Sequence, residues 1–251
     1  MRQGGGDPQS IEGGRPVLEA LRAGRRKVLE IWLPAAARSP VQREIEERAR
    51  VAGIPVHAVE RSADTRARAE AYPEEGFEAL LASLGSPRLL VALDGVTDVG
   101  NLGSIARSAE TAGVSGIVLE LRNSPPIGPG ALRASSGALE HLRVARTPSL
   151  PRALDLARQE GLRILAADST GAPLADLAQD LLRDDVLWIF GSEERGIRPA
   201  ILSRVDERVG ITLHGRIASL GVAAAAAVLL HGTAARRTAC SPRPSGAIPI
   251  S

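Results

Sequence analysis

Three glycine-bearing segments each follow a run of apolar, partly β-branched residues, and they hold the side chains best suited to chemistry. The first reads Asp94-Gly-Val-Thr-Asp98-Val-Gly-Asn101-Leu-Gly103-Ser-Ile-Ala-Arg107. Asn101 and Gly103 stand at the turn into an expected helix, whose first N–H groups are unpaired and partly positive. Arg107 lies about one turn further in, and a helical side chain leans back toward the helix start. Loop and arginine together can face a phosphate or a reacting oxygen; a surface arginine on an amphipathic helix is the plainer reading. The second segment is Gly191-Ser192-Glu193-Glu-Arg195-Gly196. Gly191, lacking a side chain, lets the backbone approach a ligand closely. Glu193 either accepts from loop amides, meets a cationic partner, or caps a helix. The third segment runs from Ile211 through Leu213, Gly215, Ser219 and Leu220 to Gly221. Ser219 either caps the alanine-rich helix that follows or holds a substrate oxygen.

The dinucleotide fingerprint is incomplete at Gly100–Gly103, and Gly191–Gly196 lacks the Gly-Lys-Ser/Thr of a phosphate loop. Both negatives count against a nicotinamide dehydrogenase or a nucleoside triphosphatase. Cys240 is alone, and His57, His141, His214 and His231 are scattered, so no metal site is expected.

The elements that must position these loops alternate. Strands are expected at Arg88–Leu93, Gly116–Leu121, Arg163–Ala167, Val186–Phe190 and Val209–Leu213. Helices are expected at Leu102–Ala112, Leu150–Glu160, Ala175–Leu182 and Ile217–Arg236. The alternation implies an α/β fold with a mostly parallel sheet covered on both faces, whose strand ends are where ligands bind. A smaller α/β unit precedes it: helices at Pro16–Arg22, Val41–Ala52 and Gly76–Leu84, and strands at Val28–Leu33 and Ile54–Val59. The charged stretch Glu60–Glu70 reads as a solvated loop or helix face. The expected division is a flexible leader over 1–10, a small domain over 11–84, a large domain over 86–237 and a disordered tail over 238–251.

With 44% apolar residues in 251, the chain can build a real core. Aromatics make up only 2%, which argues against extensive base stacking. A net charge of +2 permits a nucleic-acid partner without demanding one. Lys27 is the only lysine, so positive charge is presented as arginine, whose planar fork matches two phosphate oxygens. No stretch is apolar enough to span a bilayer, and the start has no apolar core of a signal peptide, so a cytoplasmic setting is the default.

In order and spacing, the three segments resemble the signature motifs of the SpoU/TrmH branch of the SPOUT RNA methyltransferases. Motif one runs from Asp94 to Ala109, motif two from Ile189 to Gly196, and motif three from Ile211 to Ala224. Ala134–Glu140 resembles a segment these enzymes carry between motifs one and two. Gly13-Gly-Arg15-Pro-Val17-Leu-Glu-Ala20-Leu21 is similar to the start of their small L30e-like substrate-binding domain. The resemblance implies a trefoil-knotted α/β domain, S-adenosylmethionine as methyl donor, a homodimer formed through the large domain, and methylation of a ribose 2′-hydroxyl in RNA. Ribosomal RNA is favoured over transfer RNA. It assigns Gly191, Ser192, Gly196, Ile211, Leu213 and Leu220 to the donor. It assigns catalysis to Arg107, positioning to Asn101, and the acceptor side to Glu193 and Ser219. Candidate phosphate-directed side chains are Arg22, Arg25, Arg26 and Lys27 in the small domain, with Arg133, Arg143 and Arg146 beside the knot. Two positions depart from the family pattern: Val99 replaces a usual proline, and Gly221 replaces a usual asparagine. Gly221 sustains the rival expectation of a non-catalytic RNA-binding protein that keeps the fold.

Overall fold

The computed structural model describes residues 7–35, 38–60, 64–217 and 219–238; most of the expected leader and tail, and Cys240, lie outside them. The small domain comprises β1 (Gln9–Glu12), α1 (Gly14–Ala23), β2 (Val28–Pro34), α2 (Pro40–Ala52), β3 (Val56–Val59) and β4 (Arg66–Ala69). Gln9 and Ser10 thus belong to a strand rather than to a leader. The sheet order is β1-β4-β2-β3, with β2 and β3 parallel and the other pairs antiparallel. α2 begins where Ser39 and Gln42 form a reciprocal capping box and ends at left-handed Gly53. One sheet face, with Ile11, Ile31, Leu33, Ala67 and Ala69, is buried with Val17, Leu18, Ile45 and Ala49 of the two helices.

The stretch expected to be a solvated loop contains β4, a central strand. Arg66 and Arg68 point outward and Ala67 and Ala69 inward, so a period-2 pattern was hidden by the smallness of its apolar half.

The chain then enters the large domain earlier than expected. β5 (Glu74–Gly76) pairs in parallel with β8 (Arg143–Thr147) as the edge of a seven-stranded sheet, and α3 (Phe77–Ser83) packs on that sheet through Phe77, Leu80 and Leu81. The division placed between 84 and 86 therefore falls before Glu74. The remaining strands are β6 (Leu89–Asp94), β7 (Gly116–Glu120), β9 (Arg163–Pro173), β10 (Val186–Gly191) and β11 (Glu207–Gly210). All pairings are parallel, in the order β11-β9-β10-β6-β7-β8-β5. Residues of β6 alternate between two cores: Leu89, Val91 and Leu93 face one, Leu90 and Ala92 the other. Burial on both faces is what makes these strands read as continuous apolar runs.

The covering helices are α4 (Val99–Thr111), α5 (Pro129–Ala134), α6 (Leu150–Gln159), α7 (Pro199–Leu202) and α8 (Val222–Thr238). The helix expected over Ala175–Leu182 is instead two short 3-10 turns, Leu174–Asp176 and Gln179–Leu182. Carbonyls there are taken by arginines of α8: Arg236 donates to Ala175 and Leu177, and Arg237 to Leu182. α8 begins five residues later than expected, leaving Ser219 and Leu220 in a loop.

The two domains meet along residues 133–142. Tyr72 donates to the carbonyls of Leu139 and Leu142 at 2.7 Å. Arg26 and Glu140 form an ion pair with side chains only 1% exposed. Gly137 has φ +90°, and a Cβ there would meet Glu19 Cβ at 2.8 Å. Glycine is thus required at this seam both by conformation and by contact.

Candidate functional site

The carboxyl ends of β6, β9, β10 and β11 converge, as the parallel order requires. Two adjoining cavities open there. The first, of about 300 Å³, is floored by the backbone of Gly191, Ser192, Gly196 and Gly210. Its walls include Phe190, Ile211, Leu213, Leu220, Val222 and Leu229, and its polar rim Asp168, Ser169, Glu193 and Ser219. The second, of about 450 Å³, lies over the start of α4 and is lined by Thr97, Asp98, Asn101 and Asn123 with the loop 192–198. Ser192, Glu193, Gly196 and Val222 belong to both cavities and form their shared wall.

The loop after β10 is fixed internally. Ser192 and Gly196 form an isolated antiparallel bridge, and Gly196 adopts φ +62°. A Cβ on Gly191 would stand 2.3 Å from the Gly196 carbonyl carbon. Gly191 is therefore demanded by its own loop. The base of the loop is clamped by Arg198. Its backbone N–H and Nε donate to the buried Asp94 carboxylate at 2.8 and 2.5 Å, and its second guanidinium arm lies 3.0 Å from Glu120.

Glu193 joins the second segment to the third. Its Oε1 accepts from the Val222 N–H at 3.1 Å, capping the exposed end of α8. Among the alternatives open for Glu193, helix capping is the one realised, and Ser219 is left uncapping on the rim. A Cβ on Gly221 would stand 3.0 Å from the same Oε1, so an asparagine there makes the Glu193 carboxylate give by a few tenths of an ångström. At the first segment, Asp98 caps α4 by accepting from Asn101 N–H at 2.7 Å, which sets Asn101 in the first turn and not before it.

Arg107 lies apart from these groups. It is exposed, lines neither cavity, and its Nη1 reaches Ser136 Oγ at 3.5 Å. α4 is held close to that segment because Gly103 has no side chain: a Cβ there would meet Ala134 Cβ at 2.4 Å.

Of the candidate phosphate-directed residues, Arg26 is corrected outright: buried with Glu140, it is a structural ion pair. Arg22 is paired with Glu19 and Glu44, Arg143 with Glu75, and Arg146 with Glu74. Arg25 donates to Tyr72 and the Leu142 carbonyl. Arg133 is exposed but lies 3.2 Å from Asp64, and Lys27 is exposed. Missed from the sequence was Asp168, at the carboxyl end of an expected strand. The backbone N–H of Thr170, helped by its hydroxyl and by Arg208, holds this carboxyl below the usual range against partial burial.

Residues 88–231, more than half of the chain, match the SpoU rRNA Methylase family. The chain belongs to that family. Its residues 10–64 match the substrate-binding domain of RNA 2′-O ribose methyltransferases. An uncharacterized tRNA/rRNA methyltransferase of Archaeoglobus fulgidus is 33% identical over 218 residues, covering 86% of this chain and 93% of the relative. One from Mycobacterium marinum is 32% identical, covering 92% and 78%. The fold resembles the SpoU methyltransferase AviRb of Streptomyces viridochromogenes, solved in complex with AdoMet, with a TM-score of 0.77 at 24% identity over 92% and 90% of the two chains. It also resembles an RNA 2′-O ribose methyltransferase, with a TM-score of 0.72 at 26% identity over 91% and 88%. As a SpoU-family member, the chain is an RNA methyltransferase with an accompanying substrate-binding domain.

Proposed function

We propose that this SpoU-family chain transfers the methyl group of S-adenosylmethionine to a ribose 2′-hydroxyl, in ribosomal RNA before transfer RNA. The observation that carries the reading is that all six residues expected at the donor, Gly191, Ser192, Gly196, Ile211, Leu213 and Leu220, line one cavity. That cavity fits the group. A backbone floor and apolar walls suit a flat heterocycle, and the ionised Asp168 on the rim suits a hydroxyl or cationic end. When bound, the donor supplies a methyl group already activated by its sulfonium.

The chain must then align the acceptor oxygen and manage its proton. In this reading the ribose enters the second cavity, where Asn101 orients it against the shared wall of Ser192 and Glu193. Ser219 closes the rim above. Arginine keeps its proton, so Arg107 acts by stabilising the developing alkoxide and the neighbouring phosphate while the hydroxyl proton passes to solvent water. Its exposed position beside Ser136 requires that RNA, or a second subunit, bring the reacting oxygen and the arginine together. A trefoil knot in the large domain, a homodimer through that domain and a cytoplasmic setting belong to the same proposal; exposed Ile217 and Val228 offer apolar surface for the dimer.

The rival reading, a non-catalytic RNA-binding protein, is favoured by one observation: the separation of Arg107 from the donor cavity within a single chain. Labelled S-adenosylmethionine and total ribosomal RNA separate the two, with nuclease digestion to show the methylated nucleoside. The expected result is 2′-O-methylated nucleoside, with turnover about a hundredfold lower in Arg107→Ala and donor affinity unchanged. Near-normal turnover in that variant would remove Arg107 from the mechanism. Donor binding without methylation of any RNA would favour the rival.

A further inference from the structure

The chain has two tryptophans, one tyrosine and two phenylalanines. Trp188, Phe190, Tyr72 and Phe77 are all buried in the core or the domain seam. Trp32 differs. It sits in the middle of β2 on the face of the small sheet opposite α1 and α2, half-buried. The register places it beside His57 of β3 and Arg66 of β4. The imidazole stacks on the indole with ring centroids 5.5 Å apart and planes 29° apart. The Arg66 guanidinium lies 5.0 Å from the indole centroid.

Three planar groups from three adjacent strands thus form one strip. Arg66 engages the indole and has no carboxylate partner among the described residues, unlike its neighbour Arg68, which pairs with Glu30 at 2.6 Å. Glu30 also lies 3.3 Å from His57, anchoring the far side of the strip. The same row continues across the sheet to Glu12, opposite Arg66, and Glu12 lies 3.5 Å from Arg133 of α5. Beyond Arg133, the chain runs through Ala134 and Ser135, which touch α4 at Gly103, to Ser136 beside Arg107.

We infer that the Trp32–His57–Arg66 strip is a stacking platform for unpaired bases of the RNA substrate, placed on a row of residues leading toward Arg107. This rests on the RNA methylation reading and extends it: unpaired nucleotides, not duplex, occupy this face. A π-face accepts any base, and the cationic groups at its edge suit the linking phosphates. Sparse aromatics exclude extensive stacking over the molecule but leave this one surface, where the single aromatic outside the core is concentrated with histidine and arginine.

The test uses the full chain, a twelve-nucleotide unstructured RNA and a duplex of the same length. Trp32→Ala should weaken single-strand binding by about tenfold or more and leave duplex binding nearly unchanged, while Trp32→Phe retains most of the affinity. Binding of the single strand should also quench tryptophan emission in the native chain and not in Trp32→Phe. Thermal melting and S-adenosylmethionine binding check that the variants are folded. If Trp32→Ala does not fold, His57→Ala with Arg66→Gln serves in its place, with the same expected loss. Unchanged single-strand affinity in a folded variant overturns the platform and leaves the RNA reading intact. Failure of the native chain to bind either RNA, with donor binding present, overturns both.

Discussion

The two sheets place their chemistry differently. In the seven-stranded sheet the strands are aliphatic and covered on both faces, and what can bind a ligand is backbone and loop at the carboxyl ends of β6, β9, β10 and β11. Among the described residues, only one face of the four-stranded sheet is covered, and the groups that can bind are side chains in mid-strand: Trp32, His57, Arg66 and Arg68. A site made of backbone tolerates little change at its glycines and much at its exposed side chains. A site made of side chains on a finished sheet behaves in the opposite way.

The largest effect on donor binding should come from the backbone site. Gly191→Leu drives a side chain into the Gly196 backbone, and overpacking of this kind costs at least about 1–3 kcal/mol. Donor affinity should fall by more than about a hundredfold in calorimetric titration. Gly196→Ala sharpens the point: its Cβ meets nothing within 4 Å, leaving only the left-handed φ, at about 1–2 kcal/mol. Equal losses in the two variants would break the distinction between contact and conformation.

Next comes the seam between the two sheets. Arg26→Met strands the buried Glu140 carboxylate and should destabilise the chain by about 3–5 kcal/mol in urea unfolding. A loss below about 1 kcal/mol would mean that the seam is wet and that the domains move separately.

The smallest effect concerns pH. Burial pushes the Tyr72 hydroxyl up to about 12, with opposing help from Arg25 and Arg26. In the unfolded chain it ionises near 10. Its contribution is therefore full below pH 10 and is lost as pH rises toward 12, because only the unfolded state releases the proton in that window. Tyr72→Phe should lower stability by about 1 kcal/mol at neutral pH and flatten the alkaline decline between pH 10 and 12, read by thermal melting.

The contrast also explains what could be read from the sequence. Parallel strands such as Val186–Gly191 announce themselves as apolar runs because both faces are buried, and glycines at their ends mark the loops. β4 was hidden because its outward residues are arginines and its inward ones alanines, and β8 because arginines flank just two adjacent buried apolar residues, Val144 and Ala145. The arginines were misleading for a related reason. Arg26 meets Glu140, Arg143 meets Glu75 and Arg22 meets Glu44, partners far away in the chain that no local pattern connects. The donor loops were legible as a set through their order, whereas the role of Glu193 as the cap of α8 depended on a loop folding back across 29 positions.

The pairing of β5 with β8 has a practical consequence for anyone dividing this molecule. A cut at residue 86 would remove the outermost strand of the large sheet along with the small domain. It would uncover the hydrogen-bonding edge of β8 and leave Arg143 and Arg146 without Glu75 and Glu74. An exposed edge of that kind invites pairing between copies and aggregation. The catalytic part is therefore best expressed from a start before Glu74, and a graft of this substrate-binding domain onto another member of the family has its natural join between β4 and β5, not between residues 84 and 86 where the sequence alone places it.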